Sequence, residues 1–287
     1  MLDNQVLGAI FALGSALTYG SADFFGGIAT KKNNPYSVLT LSSLLGAILL
    51  TMIAISRQEK LPGHSTIFWA ILAGISGTIG LALLYQGLTM GNSAIVSPIS
   101  GVVGASIPVL FTFLSHDIPS IIQSIGLCLA FPAIFMVSQS VGIKVESFGL
   151  RKNNLKKISI GFIAGLFFGF FFISIAQVHT TYFFAPLAIS KLTSFIFSFL
   201  IILILHKPTP KLKENPAVLL AGILDPAANG LYLYSTFLTR LDIAVVLTSL
   251  YPAGTVLLAF GFQKEKITRY QWIGIGLCLV SIFLIMS

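Results

Sequence analysis

Apolar residues run along this chain in long, nearly unbroken stretches, and short polar or turn-forming stretches separate them. A helix that crosses a bilayer needs about 20 mostly apolar residues, because a rise of about 1.5 Å per residue must cover roughly 30 Å of hydrocarbon. Ten segments approach that length: 5–28, 36–56, 66–87, 93–115, 119–139, 158–179, 183–205, 217–238, 243–262 and 269–286. Lys31-Lys32-Asn33-Asn34-Pro35 and Lys207-Pro208-Thr209-Pro210-Lys211 are typical separators. Strands of a membrane barrel would be about ten residues long with alternating polarity. The runs here are longer and continuous. The pattern therefore predicts an all-α membrane protein with ten transmembrane helices. The longest polar stretch, 140–157, carries Lys144, Arg151, Lys152, Lys156 and Lys157 and divides the chain into 1–139 and 158–287.

Composition narrows the function classes. Of the 287 residues 55% are hydrophobic and only 9% charged, with a mean hydropathy of +0.93. A soluble domain carries roughly 25% charged residues, so this chain cannot coat a water-facing surface. The net charge of +8 sits in short clusters between apolar runs, which argues against a nucleic-acid partner. Cys128 and Cys278 both lie in apolar runs, where they build neither a disulfide framework nor a metal motif. Neither a metal nor a cofactor is expected. Asp3 precedes the first run and Asp23 lies inside it, unlike a cleaved signal peptide. The chain has no Gly-x-x-x-x-Gly-Lys-[Ser/Thr] phosphate loop, so ATP is not expected to drive it directly.

The two halves resemble each other at an offset of 148. Gly74 matches Gly222, Gln123 matches Gln271, Ile125 matches Ile273 and Gly126 matches Gly274. Tyr19-Gly20 aligns with Phe168-Gly169 at 149, and Pro35 with Pro186 at 151. Each match is weak alone; their order and spacing carry the inference. Five crossings per copy is an odd number, so the second copy enters the membrane from the opposite side. The expectation is two inverted five-helix repeats, an architecture that places a solute site near the midplane between the halves.

Charged groups inside a span cost about 2.5–3.5 kcal/mol each on insertion scales, so each asks for a reason. Of the 26 Lys, Arg, Asp and Glu, Asp23, Lys191 and Asp225 lie clearly inside spans. Asp225 precedes Pro226, whose missing N–H frees the carbonyl near Gly222. Asn229 and Tyr232 follow at i+4 and i+7 and share its face. Lining a solute path and fixing helix packing are the two readings of this stripe. Lys191 shares a face with Ser194 and Ser198. It either meets a solute carboxylate, pairs with a buried Asp or snorkels to the interface. Asp23, beside Tyr19, and Asp225 are the candidates for a proton or charge site, the alternative for Asp23 being a place at the headgroups. Further candidates for the path are Ser97, Pro98, Tyr251, Phe168 and Gln177, with packing as the other reading. His179 fits an interfacial place better than a proton relay. Trp69 and Trp272 lie near span ends, as interfacial anchors do.

The sequence over residues 219–275 resembles the EamA-type repeat of the drug/metabolite transporter superfamily. The resemblance rests on Asp225, Asn229 and Tyr232, on Ser249-Leu250-Tyr251-Pro252, on Glu265, and on Gln271 with Gly274. In the first half, Gly91 to Ile99 (with Ser97 and Pro98) looks like the pattern of the fourth helix. Tyr19-Gly20 stands where relatives often carry Trp-Gly, and His116-Asp117 replaces the usual Gly-Glu. The resemblance implies ten helices in two repeats and export or exchange of small metabolites.

Together these readings predict a secondary transporter in the cell membrane, not an enzyme. It would move small polar or amphipathic metabolites such as amino acids by alternating access. The rival readings are a membrane-embedded lipid-modifying enzyme and a non-transporting membrane subunit. The four scattered histidines argue against the first, and the short polar loops argue against the second. The partners expected are the small-molecule solute and membrane lipid, with proton coupling and a homodimer left open. Loops on one side hold 13 Lys and Arg and those on the other hold 3. The positive-inside rule then puts the basic side in the cytoplasm and both termini outside. The family habit implies the reverse.

Overall fold

The computed structural model describes residues 3–30, 33–89, 93–114, 119–138, 152–178, 182–207, 215–264 and 267–286. The helices, in chain order, are α1 (Asn4–Thr30), α2 (Pro35–Ser56), α3 (His64–Thr89), α4 (Ser93–Leu114), α5 (Ile121–Val137) and α6 (Lys152–Ala176). They continue with α7 (Phe184–Ile204), α8 (Ala217–Leu238), α9 (Leu241–Thr248), α10 (Tyr251–Gln263) and α11 (Arg269–Met286). Helices α9 and α10 form one crossing, Leu241–Phe262, broken by a turn at Ser249 and Leu250. Pro252 explains the break. It has no N–H to give the carbonyl of Thr248, and the Leu250 N–H bonds Leu247 O in a tighter turn instead.

Eight crossings are long and apolar enough to span a membrane unaided. The apolar parts of α4 (Pro98–Leu114) and α5 (Ile121–Val137) are shorter. The 17 residues of α5 sit at the low end of the roughly 17–25 that can span. With these two the bundle has the ten expected crossings. Helix α6 starts at Lys152, several residues ahead of the expected span, and includes Lys156 and Lys157.

The packing scheme carries the duplication. Helix α1 packs on α8 as α6 packs on α3, and α4 meets α6 as α9 and α10 meet α1. Helix α3 meets α7 as α8 meets α2, while α2 with α7 and α5 with α11 pair across the axis. Swapping α1–α5 for α6–α11 leaves this scheme unchanged. The contact residues obey the same offset of 148. A Cβ on Gly222 would lie 2.9 Å from Leu45 Cβ and 3.1 Å from Ser42 O, and one on Gly74 would run into Ser190 and Thr193. A Cβ on Gly126 would strike Leu284 and Ile285, and one on Gly274 would strike Met136 and Val137.

Helix ends repeat as well. Ser120 and Gln123 form a capping box at α5, with both bonds at 3.2 Å. Thr268 and Gln271 do the same at α11, at 2.9 and 3.2 Å. Reciprocal bonds of this kind satisfy N–H groups that the first turn leaves free. Gln58 and His206 both take positive φ, at 54° and 48°, just past α2 and α7.

Two large apolar cores and a small one around Val38 and Val218 hold the bundle together. The first joins α1, α4, α5, α9 and α11 around Leu127, Ile134 and Leu247. The second joins α2, α3, α6, α7, α8 and α9 around Phe172, Leu187, Tyr232 and Leu233. Leu17, Met52, Leu114 and Phe283 are among the large apolar side chains left exposed on the outer surface. Such a surface suits lipid rather than water.

Candidate functional site

The bundle encloses a cavity holding about 1060 Å³ of space free of protein atoms, its open mouth included. Helices α1, α2, α3, α4, α6, α7 and α8 line it, together with the α9–α10 break. Both halves contribute. Ser43 and Gly77 of the first half and Lys191 and Asp225 of the second all face it, and these pairs stand 148 apart. Its wall is mostly apolar with a few convergent polar groups, as in small-molecule sites generally.

Three charged side chains reach the cavity. Lys191 donates from Nζ to Asp225 Oδ2. Lys191 is 8% exposed, so its charge is almost wholly withdrawn from water. Such a pair holds together because losing either partner would leave an uncompensated charge. The Asn229 side-chain N–H donates to Asp225 O at 2.8 Å, and Tyr19 OH donates to Asn229 Oδ1. A continuous chain of polar contacts therefore runs from α7 through α8 to α1. Asp23 lies one turn beyond Tyr19, half-buried on the same wall. The rings of Tyr19 and Tyr251 are neighbours in the wall, with centroids 6.4 Å apart and planes tilted by 60°.

Towards the face where α6 ends and α7 begins, the helices pack closely behind the wall. Tyr232 is fully buried and donates to Phe172 O at 2.9 Å, with its ring against that of Phe172. Nearby, Glu59 from the α2–α3 connection accepts the backbone N–H groups of Phe183, Phe184 and Ala185 at 2.7–3.1 Å. A carboxylate at a helix N-terminus meets both free N–H groups and a favourable dipole. On the same face Arg240 pairs with the fully buried Asp242 at 2.9 Å. Towards the other face the lining runs to Gly26, Val38 and Ala221, near the ends of α1, α2 and α8. There Asn215 donates to Ala29 O at 2.7 Å.

The structure sorts the residues singled out in the sequence. Tyr19, Asp23, Phe168, Lys191, Asp225 and Tyr251 meet at the cavity. Lys191 pairs with Asp225, whose side chain is partly exposed to the cavity. Asn229 and Tyr232 lie behind the wall, 2% and 0% exposed, rather than on it. Pro98 is buried inside α4 and Gln177 lies just past the end of α6, both away from the lining. Ser97 sits on α4 with its side chain outside the described residues, as are His179 and Glu265. The carbonyl of Gly222, freed by Pro226, faces Gly46 of α2 rather than the cavity.

Sequence reasoning missed Glu59, Ser43 and Ser249. Ser43 could have been found, because it is the first-half counterpart of Lys191. Glu59 sits in a short connection, where a charge looks solvated. Ser249 belongs to the lining, and its hydroxyl is buried and makes no hydrogen bond among the described residues.

No curated protein matches the chain. A crystal structure of another protein aligns with a TM-score of 0.76, over 98% of this chain and 96% of its own, at 15% identity. At that identity the likeness speaks for the fold. The sequence profile of the EamA-like transporter family matches twice, over residues 6–139 and 155–287. With its two-repeat, ten-crossing bundle, the chain is a multi-pass membrane protein that belongs to the EamA-like transporter family.

Proposed function

We propose that this protein is a secondary transporter of the cell membrane that exports or exchanges a small polar or amphipathic organic solute by alternating access. The observation that carries the reading is the charged cavity lined by both halves of the chain. A buried ion pair is costly to maintain in a bilayer unless solute or water visits it. The solute would meet Asp225, Lys191, Tyr19, Tyr251 and Phe168 directly. Asn229 and Tyr232 would hold that wall in shape from behind. Rocking of one half against the other would open the cavity to one face and then to the opposite one. Exchange of solute, or a proton moving against it, supplies the drive.

The test is counterflow in proteoliposomes, using amino acids, amines and other solutes that raise the thermal stability of the purified protein. The paired variant Lys191→Gln/Asp225→Asn removes both charges and leaves neither orphaned. It is expected to stay folded and to lose about tenfold or more of the flux. Equal flux in the variant, or no exchange of any stabilising solute by the wild type, overturns the reading.

A further inference from the structure

We propose that the cavity binds an organic monocation, with its ammonium group at Asp23 and its apolar part against the rings of Tyr19 and Tyr251. The inference rests on the transporter reading and names the solute class of the same site.

The charge count comes first. Among the described residues the charged groups on the wall are Asp23, Asp225 and Lys191, which sum to one negative charge when both carboxylates are ionised. Lys191 is engaged by Asp225. Among the described residues none hydrogen-bonds to or ion-pairs with the Asp23 carboxylate. An enclosed charge without a partner is the expensive element of this site, and a bound cation would neutralise it.

The surroundings of Asp23 agree. Tyr19 is four residues earlier on α1, and Tyr251 stands beside Tyr19 at the α9–α10 break. Phe168 and Phe171 complete an aromatic wall. Aromatic faces attract ammonium groups by about 0.5–2 kcal/mol and repel anions.

Other charge types fit worse. An anion would enter a cavity already negative. A zwitterion would bring a carboxylate that must take Lys191 from Asp225, leaving two unpaired carboxylates for one cation.

The experiment uses the purified full-length protein in detergent and four probes of one shape class: phenethylammonium, phenethyl alcohol, phenylacetate and phenylalanine. Isothermal titration measures each. Phenethylammonium is expected to bind at least about tenfold more tightly than the other three. Asp23→Asn should weaken phenethylammonium by about tenfold or more, while Asp23→Glu, which keeps the charge, should retain it. Asp23→Glu also shows that loss in Asp23→Asn is not loss of fold, as does an unchanged elution profile of both variants. Absence of phenethylammonium binding overturns the proposal. So does equal binding of the alcohol, of phenylacetate or of phenylalanine, and so does full affinity in Asp23→Asn. These results would remove the cation class alone. The transporter reading fails separately, on absent counterflow.

Discussion

At the scale of single residues, the site turns on charges that a bilayer disfavours. Lys191 and Asp225 hold one another, so their stability effects should not add. Asp225→Asn alone should cost about 3–5 kcal/mol by leaving Lys191 buried and unpaired, and Lys191→Gln alone should cost less, because the Asp225 side chain is 25% exposed. The double variant should recover most of that loss. Thermal or denaturant unfolding of the four proteins measures the coupling, and additive losses would contradict the pair. The sequence shows that these two residues are costly, since each interrupts an apolar run. It does not show that they touch, because 34 positions and a connection separate them. Asn229 and Tyr232 mark the limit of face-sharing arguments. They follow Asp225 at helical spacing, yet α1 and α6 cover that face and leave the two buried behind the wall.

At the scale of elements, nine of the ten crossings follow the apolar runs within a few residues at most of their ends. The ninth differs because Pro252 splits it, and hydropathy alone does not register a missing N–H. The repeated Gln has a local cause. Gln123 and Gln271 each close a capping box, which is why the match survives in two otherwise diverged helices. The repeated Gly has a packing cause. Gly222→Leu would drive its side chain into Leu45 and the Ser42 carbonyl, and is expected to cost about 1–3 kcal/mol or more. Gly276→Leu meets nothing within 4 Å and should leave the unfolding temperature nearly unchanged. Equal behaviour of the two in a thermal melt would contradict the close approach of α2 and α8.

At the scale of the whole molecule, the duplication was legible from a handful of spaced residues. The odd number of crossings per copy then fixed the inversion without coordinates. The cavity was not legible, because its wall is drawn from seven helices and a break, far apart along the chain. The basic loops make an independent prediction. They put the linker face in the cytoplasm, so alkaline phosphatase fused at the C-terminus should be active on intact cells. Activity of a cytoplasmic reporter there instead would favour the family habit over the charge bias.

The pairing of Lys191 and Asp225 with Ser43 and Gly77 has a thermodynamic corollary. The scaffold is duplicated, but its ionic content is not: one copy is ionic where its twin is a hydroxyl and a bare backbone. Inverting the tilt of such a bundle does not return a mirror image of equal energy. An empty protein should therefore lean towards one orientation at rest, and the occupant, rather than the helices, must supply the difference that tips it back.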